Sequence, residues 1–107
     1  MNSKNISDYI GLPAMLEQTA EECAELSFAC LKLARLLRGE NKVHGRTEEE
    51  LVYALTEECA DTFICIDELI HIKAIDIREY LQIIHAKQER MAARIKKDFN
   101  GGEIMDA

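Results

Sequence analysis

The chain has 107 residues, of which 48% are hydrophobic and 31% charged, and its formal net charge is −7 at pH 7. This charge argues against polymeric DNA or RNA as a partner, because proteins that bind nucleic acids neutralise phosphates with a basic surface. No segment has the uninterrupted apolar length that a bilayer-crossing helix needs, and the N-terminal residues lack the apolar stretch of a secretion signal. We therefore expect a single domain over residues 1–107 that works in the cytoplasm, away from membranes.

Three long helices are predicted, because one Pro and five Gly leave long stretches without helix breakers. Their expected ranges are 13–38, 48–72 and 77–99, with a short helix over 3–10 as a further option. Gly39 is a natural stop for the first helix. Thr47-x-x-Glu50 has the form of a capping box before the second. Asp76-x-x-Glu79 is a start signal for the third.

Apolar residues recur at helical spacing on the first two predicted helices. The first stripe consists of Leu16, Ala20, Cys23, Cys30, Leu33, Ala34 and Leu37, and the second of Val52, Leu55, Cys59, Phe63, Ile66 and Ile70. The second helix is wider in its apolar surface, because Ala60, Ile64 and Cys65 flank the stripe, so it needs covering on several sides. We expect an all-α fold, a long-helix antiparallel bundle of the four-helix type that homo-oligomerisation completes.

The four cysteines, Cys23, Cys30, Cys59 and Cys65, fall inside predicted helices and form no C-x-x-C pair. Their spacing resembles that of core positions. We expect them to be small buried hydrophobes rather than zinc ligands or redox groups.

Two acidic clusters are the candidate functional residues. Glu22 and Glu25 are three apart on the first helix with Glu21 beside them, and Glu58 and Asp61 are three apart on the second. Like charges at this spacing repel, and an ionised carboxylate near a core is costly unless it is paired or bound to metal. Oxygen ligands without nearby His suit Mg²⁺, or Mn²⁺ in its place. The alternative is two solvated runs of charge.

Basic residues follow on the third helix. Lys87, Arg90 and Arg94 recur at steps of three and four, which favours a phosphate-binding edge, although an exposed helix face has the same pattern. Glu68-x-x-His71 has a spacing found in di-iron carboxylate bundles. The chain has no second Glu-x-x-His, so His71 is interpreted as a helix-end residue favoured by the helix dipole.

The ordered pair Glu21-Glu22-x-x-Glu25 and Glu58-x-x-Asp61 resembles the E-E-x-x-E and E-x-x-D signature of MazG-like nucleotide pyrophosphohydrolases, which belong to the all-α NTP pyrophosphatases. The resemblance extends over about residues 16–94. It includes Lys87 and Arg90, although His85 stands where relatives often have Asn.

The resemblance implies Mg²⁺-dependent hydrolysis of a nucleoside triphosphate, often a deoxy one, to the monophosphate and pyrophosphate. It implies that Glu22, Glu25, Glu58 and Asp61 bind the metal and that Glu21 supports them or orients the attacking water. A homodimer or homotetramer is expected as the working form. Two alternatives remain open: a non-catalytic helical interaction module, and a ferritin-like di-iron protein.

Overall fold

The computed structural model describes residues 5–40 and 45–99 as three α-helices, with no strand in those ranges. Helix α1 runs over Ile6–Arg38, α2 over Glu48–His71 and α3 over Ile77–Phe99. The all-α prediction is confirmed, and the second and third helices begin where the sequence predicts. No helix of these ranges is long and apolar enough to cross a membrane.

The helix ends follow the predicted chemistry. The Thr47 hydroxyl accepts from the Glu50 backbone N–H at 3.1 Å, and the Glu50 carboxylate accepts from the Thr47 N–H at 2.9 Å, which is a complete capping box. Gly39 ends α1 in the left-handed region at φ 71°, where its N–H donates to the carbonyl of Leu36. The Asp76 carboxylate accepts from the Arg78 N–H at 2.9 Å, just before α3.

Helix α1 starts earlier than predicted and contains a kink. Gly11 has φ 83° and ψ 169°, a region that is essentially restricted to glycine, so the segment before it is a short helix of its own. Pro13 follows, at a position compatible with the start of the longer helix. The short-helix option therefore holds for its described part, whereas residues 3 and 4 lie outside the described residues.

The chain divides into two compact units, Met1–Ala74 and Ile75–Ala107. The first contains α1 and α2, and the second contains α3. The prediction of one domain over 1–107 stays a prediction. Within α3, all of which the structure describes, no residue is buried.

Helices α1 and α2 pack as an antiparallel hairpin. Ser7 near the start of α1 contacts Glu68 near the end of α2, and the middle of α1 meets the middle of α2 at Glu22 and Thr62. Buried apolar side chains form a small core between the helices. These side chains are Met15, Leu51, Cys65 and Leu69.

The apolar stripes are not the surfaces that α1 and α2 bury against each other. On α1, Leu16 and Leu37 are exposed, and on α2, Val52 and Phe63 are exposed, Phe63 by 70%. The side of α2 turned toward α1 instead has Leu51, half-buried Glu58, and buried Thr62, Cys65 and Leu69. This side contains a carboxylate and a hydroxyl, so a hydrophobicity pattern does not select it.

The prediction that the cysteines are buried is wrong for three of the four thiols in the chain. Cys65 is buried, but Cys23, Cys30 and Cys59 are exposed in the chain, because they belong to the outward stripes. All four are free thiols, and burial raises the pKa of Cys65 above its ordinary value.

Candidate metal centre

Three carboxylates from α1 and α2 meet near the middle of the hairpin. Glu22, Glu58 and Asp61 each offer an oxygen, and these oxygens all lie within 4.8 Å of one another. The antiparallel packing brings them together from positions distant in the sequence. The structure thus brings together three of the four acids predicted to bind metal.

Two of these carboxylates have an oxygen that is buried without a hydrogen-bond partner. The atoms are Oε2 of Glu22 and Oε1 of Glu58. A buried acceptor that lacks a partner is destabilising, and more so when it carries charge. A divalent cation fits this arrangement, because it would coordinate both oxygens and neutralise their charge.

The pKa values of Glu22 and Glu58 are both raised above the ordinary value. Burial is the largest cause in each case, followed by the negative charge of Glu25 and then of Asp61. The negative charges of Glu58 and, least, of Glu21 also raise the pKa of Glu22. These side chains repel one another as anions, so a cation between them would favour their charged forms.

Thr62 lies between the two helices at the level of the carboxylates. Its side chain is buried, and its hydroxyl lies 2.8 Å from the Glu58 carbonyl oxygen and 3.5 Å from that of Glu22. The hydroxyl has one proton, which the shorter bond to Glu58 within α2 uses, so the 3.5 Å approach to Glu22 shows that the two helices are close together at this level.

Glu25 and Glu21 are not among the three acids whose oxygens all lie within 4.8 Å of one another, but both act on the group by their charge. Glu25 is exposed and lines a cavity together with Glu58, and its charge acts on both Glu22 and Glu58. Glu21 is exposed. The predicted ligand role of Glu25 and the supporting role of Glu21 stay predictions.

Two cavities lie on opposite sides of the three carboxylates along the hairpin. The first, which we call the cationic cavity, has a volume of about 250 Å³ and is lined by Glu25, Phe28, Ala29, Lys32, Arg46, Leu51, Ala54 and Glu58. The second, which we call the apolar cavity, has a volume of about 220 Å³ and is lined by Ile6, Met15, Gln18, Glu22, Asp61, Ile64 and Cys65. The acids thus belong to the walls of both.

Sequence reasoning missed Lys32, Arg46 and Gln18 as site residues. A signal was present for Lys32, which follows Glu25 by two helical turns and so shares its face. Arg46 precedes α2 in a turn, where no periodicity points to it. Gln18 is one turn before Glu22, but a lone amide has no distinctive pattern.

The predicted phosphate-binding residues Lys87, Arg90 and Arg94 are exposed on α3, in the second unit. Their role stays a prediction.

His71 lies in the last turn of α2, as the sequence predicts, and both His71 and Glu68 make contacts that the sequence does not predict. His71 is paired with Asp8, with 3.1 Å between Nε2 and Oδ2. Glu68 is buried and accepts from the Ser7 hydroxyl at 2.6 Å, the Ser7 N–H at 3.0 Å and the Asn5 side-chain amide at 3.0 Å. Glu68 therefore caps the start of α1, a role that sequence reasoning did not find.

Comparisons with protein-family models, with curated proteins and with solved structures give no match for this chain. The resemblance of its two acidic motifs to MazG-like enzymes stays a prediction.

Proposed function

We propose that the chain is a Mg²⁺-dependent nucleoside triphosphate pyrophosphohydrolase of the MazG-like kind. The observation that carries the proposal is that Glu22 and Glu58 each have a buried, unpartnered oxygen, and that these two carboxylates and Asp61 each offer an oxygen within 4.8 Å of the others. Such a group is costly as bare anions but suits a hard divalent cation. The order of the acids along the chain, which resembles the MazG-like signature, supports nucleotide hydrolysis as the use of that cation.

In this proposal Glu22, Glu58 and Asp61 hold Mg²⁺, or Mn²⁺ in its place, with Glu25 as a further ligand. When bound, the ion supplies positive charge that opposes the charge of the phosphates and increases the acidity of water at the site. The same carboxylates, three of which have oxygens within 4.8 Å of one another, repel a triphosphate that arrives without metal. The acids thus make nucleotide binding depend on the metal.

The reaction is the transfer of the nucleotidyl group, through its α-phosphorus, to water. A bond forms between the water oxygen and the α-phosphorus, and the bond from that phosphorus to the α,β-bridging oxygen breaks. The electron pair leaves with pyrophosphate, while a water proton passes through a carboxylate to solvent. Glu21 or Glu22 orients the water and accepts this proton. The choice of the α-phosphorus comes from the resemblance alone.

The proposed working form is a homodimer or homotetramer that completes a four-helix-type bundle. Its support is the apolar surface of the hairpin, since large side chains on both helices are exposed in the chain. Among them are Leu16, Leu31, Val52, Tyr53 and Phe63. Exposed apolar surface of this extent marks an interaction site. We further propose that the protein acts in the cytoplasm, where it would hydrolyse nucleotides of the cellular pool.

The test of the reaction uses the purified full chain, Mg²⁺ and a panel of NTPs and dNTPs. Release of monophosphate and pyrophosphate is expected, with loss of both in EDTA and in Glu58→Gln. Glu57→Gln is the matched control, since Glu57 is the exposed neighbour on the same helix, and it should retain the activity. Release of orthophosphate would show that the reaction is wrongly assigned.

A helical interaction module without catalysis is the competing function. The exposed apolar side chains of α1 and α2 favour it as much as they favour an oligomer. An interaction module does not explain, however, why Glu22 and Glu58 each have a buried oxygen without a hydrogen-bond partner. Calorimetric titration with Mg²⁺ separates the two functions, because a module with solvated acids gives no saturable binding. Light scattering at micromolar concentration tests the oligomer, which a monomer mass would exclude.

A further inference from the structure

The two cavities beside the carboxylates have opposite chemical character. The cationic cavity contains the positive side chains of Lys32 and Arg46, and the carboxylates of Glu25 and Glu58 belong to the same wall, next to the candidate metal centre. The apolar cavity contains Ile6, Met15, Ile64 and Cys65, with the amide of Gln18 as its uncharged polar group. A nucleoside triphosphate has the same division, with a highly anionic end and a flat, mostly apolar end.

The three parts follow one another along the hairpin. On α1, Gln18 precedes Glu22, and Glu25 and then Lys32 follow. The Cα atom of Lys32 therefore lies about 15 Å beyond that of Glu22 along the helix, at about 1.5 Å per residue. On α2 the direction is reversed, with the cationic cavity before Glu58 and the apolar cavity after Asp61. The carboxylates therefore stand at the junction between the two cavities.

Lys32 is held in place by its neighbour Phe28. Its ammonium nitrogen lies 4.5 Å from the centroid of the Phe28 ring, one turn back on α1. A cation over an aromatic face is attracted by the electrons of the ring, which restricts an otherwise flexible side chain. Phe28 also lines the cationic cavity, so the restricted ammonium belongs to its wall.

We propose that the nucleotide lies along the hairpin in one direction, with its β- and γ-phosphates bound by Lys32 and Arg46 in the cationic cavity and its nucleoside in the apolar cavity. The α-phosphate then lies at the carboxylates, which is where the bond must break. Lys32 and Arg46 stabilise the charge of the leaving pyrophosphate, Phe28 positions Lys32, and Gln18 selects the base through its amide donor and acceptor. This inference rests on the proposed function for the identity of the ligand.

The test measures binding rather than turnover. Inorganic pyrophosphate with Mg²⁺ serves as the probe for one cavity, and the four common nucleoside monophosphates serve for the other. Lys32→Gln and Arg46→Gln should each weaken pyrophosphate binding by about tenfold or more, since each removes a charge-assisted hydrogen bond. Arg35→Gln, which removes a positive charge from the same helix outside both cavities, should stay within about twofold of the wild type. Lys32→Arg should restore most of the binding.

Gln18→Leu should give the reciprocal result. It should change the ratio of affinities among the four monophosphates by about tenfold, because a hydrogen bond to the base is lost, while pyrophosphate affinity is retained. The Lys32→Gln variant should leave that ratio unchanged. Each variant thus serves as a control for misfolding. Gln18→Leu should retain pyrophosphate binding, and Lys32→Gln should retain the preference among the monophosphates.

Three results would overturn the proposed direction: unchanged pyrophosphate affinity in both Lys32→Gln and Arg46→Gln, no pyrophosphate binding by the wild type, or base preference that follows Lys32 instead of Gln18. Failure of the proposed hydrolysis is a distinct result. In that case the wild type would bind pyrophosphate through Lys32 and Arg46 but release none from any triphosphate, and the assignment of the two cavities would stand.

Discussion

Glu68 of α2 accepts two hydrogen bonds from Ser7 of α1, at 2.6 Å from the hydroxyl and at 3.0 Å from the backbone N–H. Asn5, the residue before α1, supplies no capping side chain to its own helix and donates to Glu68 instead. A carboxylate from one helix thus satisfies the backbone donor at the start of another. This contact fixes the segment before Gly11 on the end of α2.

Replacement of Glu68 by Gln should lower the free energy of unfolding by about 1–3 kcal/mol, because the buried donors lose a charged acceptor and the new amide NH₂ faces donors. Urea denaturation of wild type and variant at equal protein concentration measures the difference. Asp67→Asn, at an exposed neighbouring position, should change it by less than about 0.5 kcal/mol. Equal effects of the two substitutions would contradict the capping role.

The contribution of Glu68 should depend on pH with a defined sign. Burial alone would raise its pKa, but hydrogen bonds from Ser7 and Asn5 and the nearby His71 outweigh burial, and the pKa lies below the ordinary 4.5. A lowered folded-state pKa stabilises the fold above the ordinary value, and this stabilisation is lost as pH falls through the folded-state pKa.

The measurable consequence is the difference in unfolding free energy between wild type and Glu68→Gln. It should be constant from pH 7 to about 5 and shrink as the pH is lowered further. Groups that do not interact with Glu68 cancel in this difference, and the same comparison in a His71→Gln background removes the contribution of His71, whose charge acts on Glu68. A difference that grows on acidification would show that the sign of the pKa shift is wrong.

The sequence predicts the helices well because their ends depend on local chemistry. The Thr47–Glu50 capping box needs only four consecutive residues, and the structure confirms both of its hydrogen bonds. The left-handed Gly39 is likewise a local feature. Glu68 and Ser7 are far apart in the sequence, and neither has a pattern that predicts their contact.

The apolar stripes are not the faces that pack within the chain, and the reason is physical. Hydrophobic periodicity selects the most apolar side of a helix, and on α2 that side includes Phe63, which is exposed by 70%. The side that packs on α1 contains Glu58 and Thr62, because the candidate metal centre lies between the helices. Charge spacing did find the acids, since residues three apart share a face whatever the helix packs against.

The carboxylates should oppose stability in the absence of metal. Glu22→Gln removes a charge from a group of acids that repel one another, so the variant should unfold at a higher temperature than the wild type in EDTA. Added Mg²⁺ should then raise the unfolding temperature of the wild type and leave that of Glu22→Gln nearly unchanged.

Thermal scans with and without Mg²⁺ make this measurement, and Glu17→Gln, an exposed acid on the same helix, is the control. The control should respond to Mg²⁺ as the wild type does. A wild type that is more stable than Glu22→Gln in EDTA, or that shows no response to Mg²⁺, would count against a metal centre.

The kink at Gly11 should be required for the contact between Ser7 and Glu68. With φ 83° and ψ 169°, Gly11 adopts a conformation that strains any residue with a Cβ atom, although no neighbouring atom lies within 4 Å of where that atom would be. Gly11→Ala should therefore lower the free energy of unfolding by about 1–3 kcal/mol through backbone strain alone. Relief of this strain by a straighter helix would carry Ser7 away from Glu68.

A double-mutant cycle tests this connection. If Ala at position 11 straightens α1, Glu68→Gln should lower the free energy of unfolding by less in the Gly11→Ala background than in the wild type. The two losses should differ by at least about 0.5 kcal/mol. Pro13→Ala, two residues further on, provides the control background, in which Glu68→Gln should keep its full effect. Additive losses in the Gly11→Ala background would show that Ser7 reaches Glu68 without the kink, and that the conformation of Gly11 does not position the start of α1.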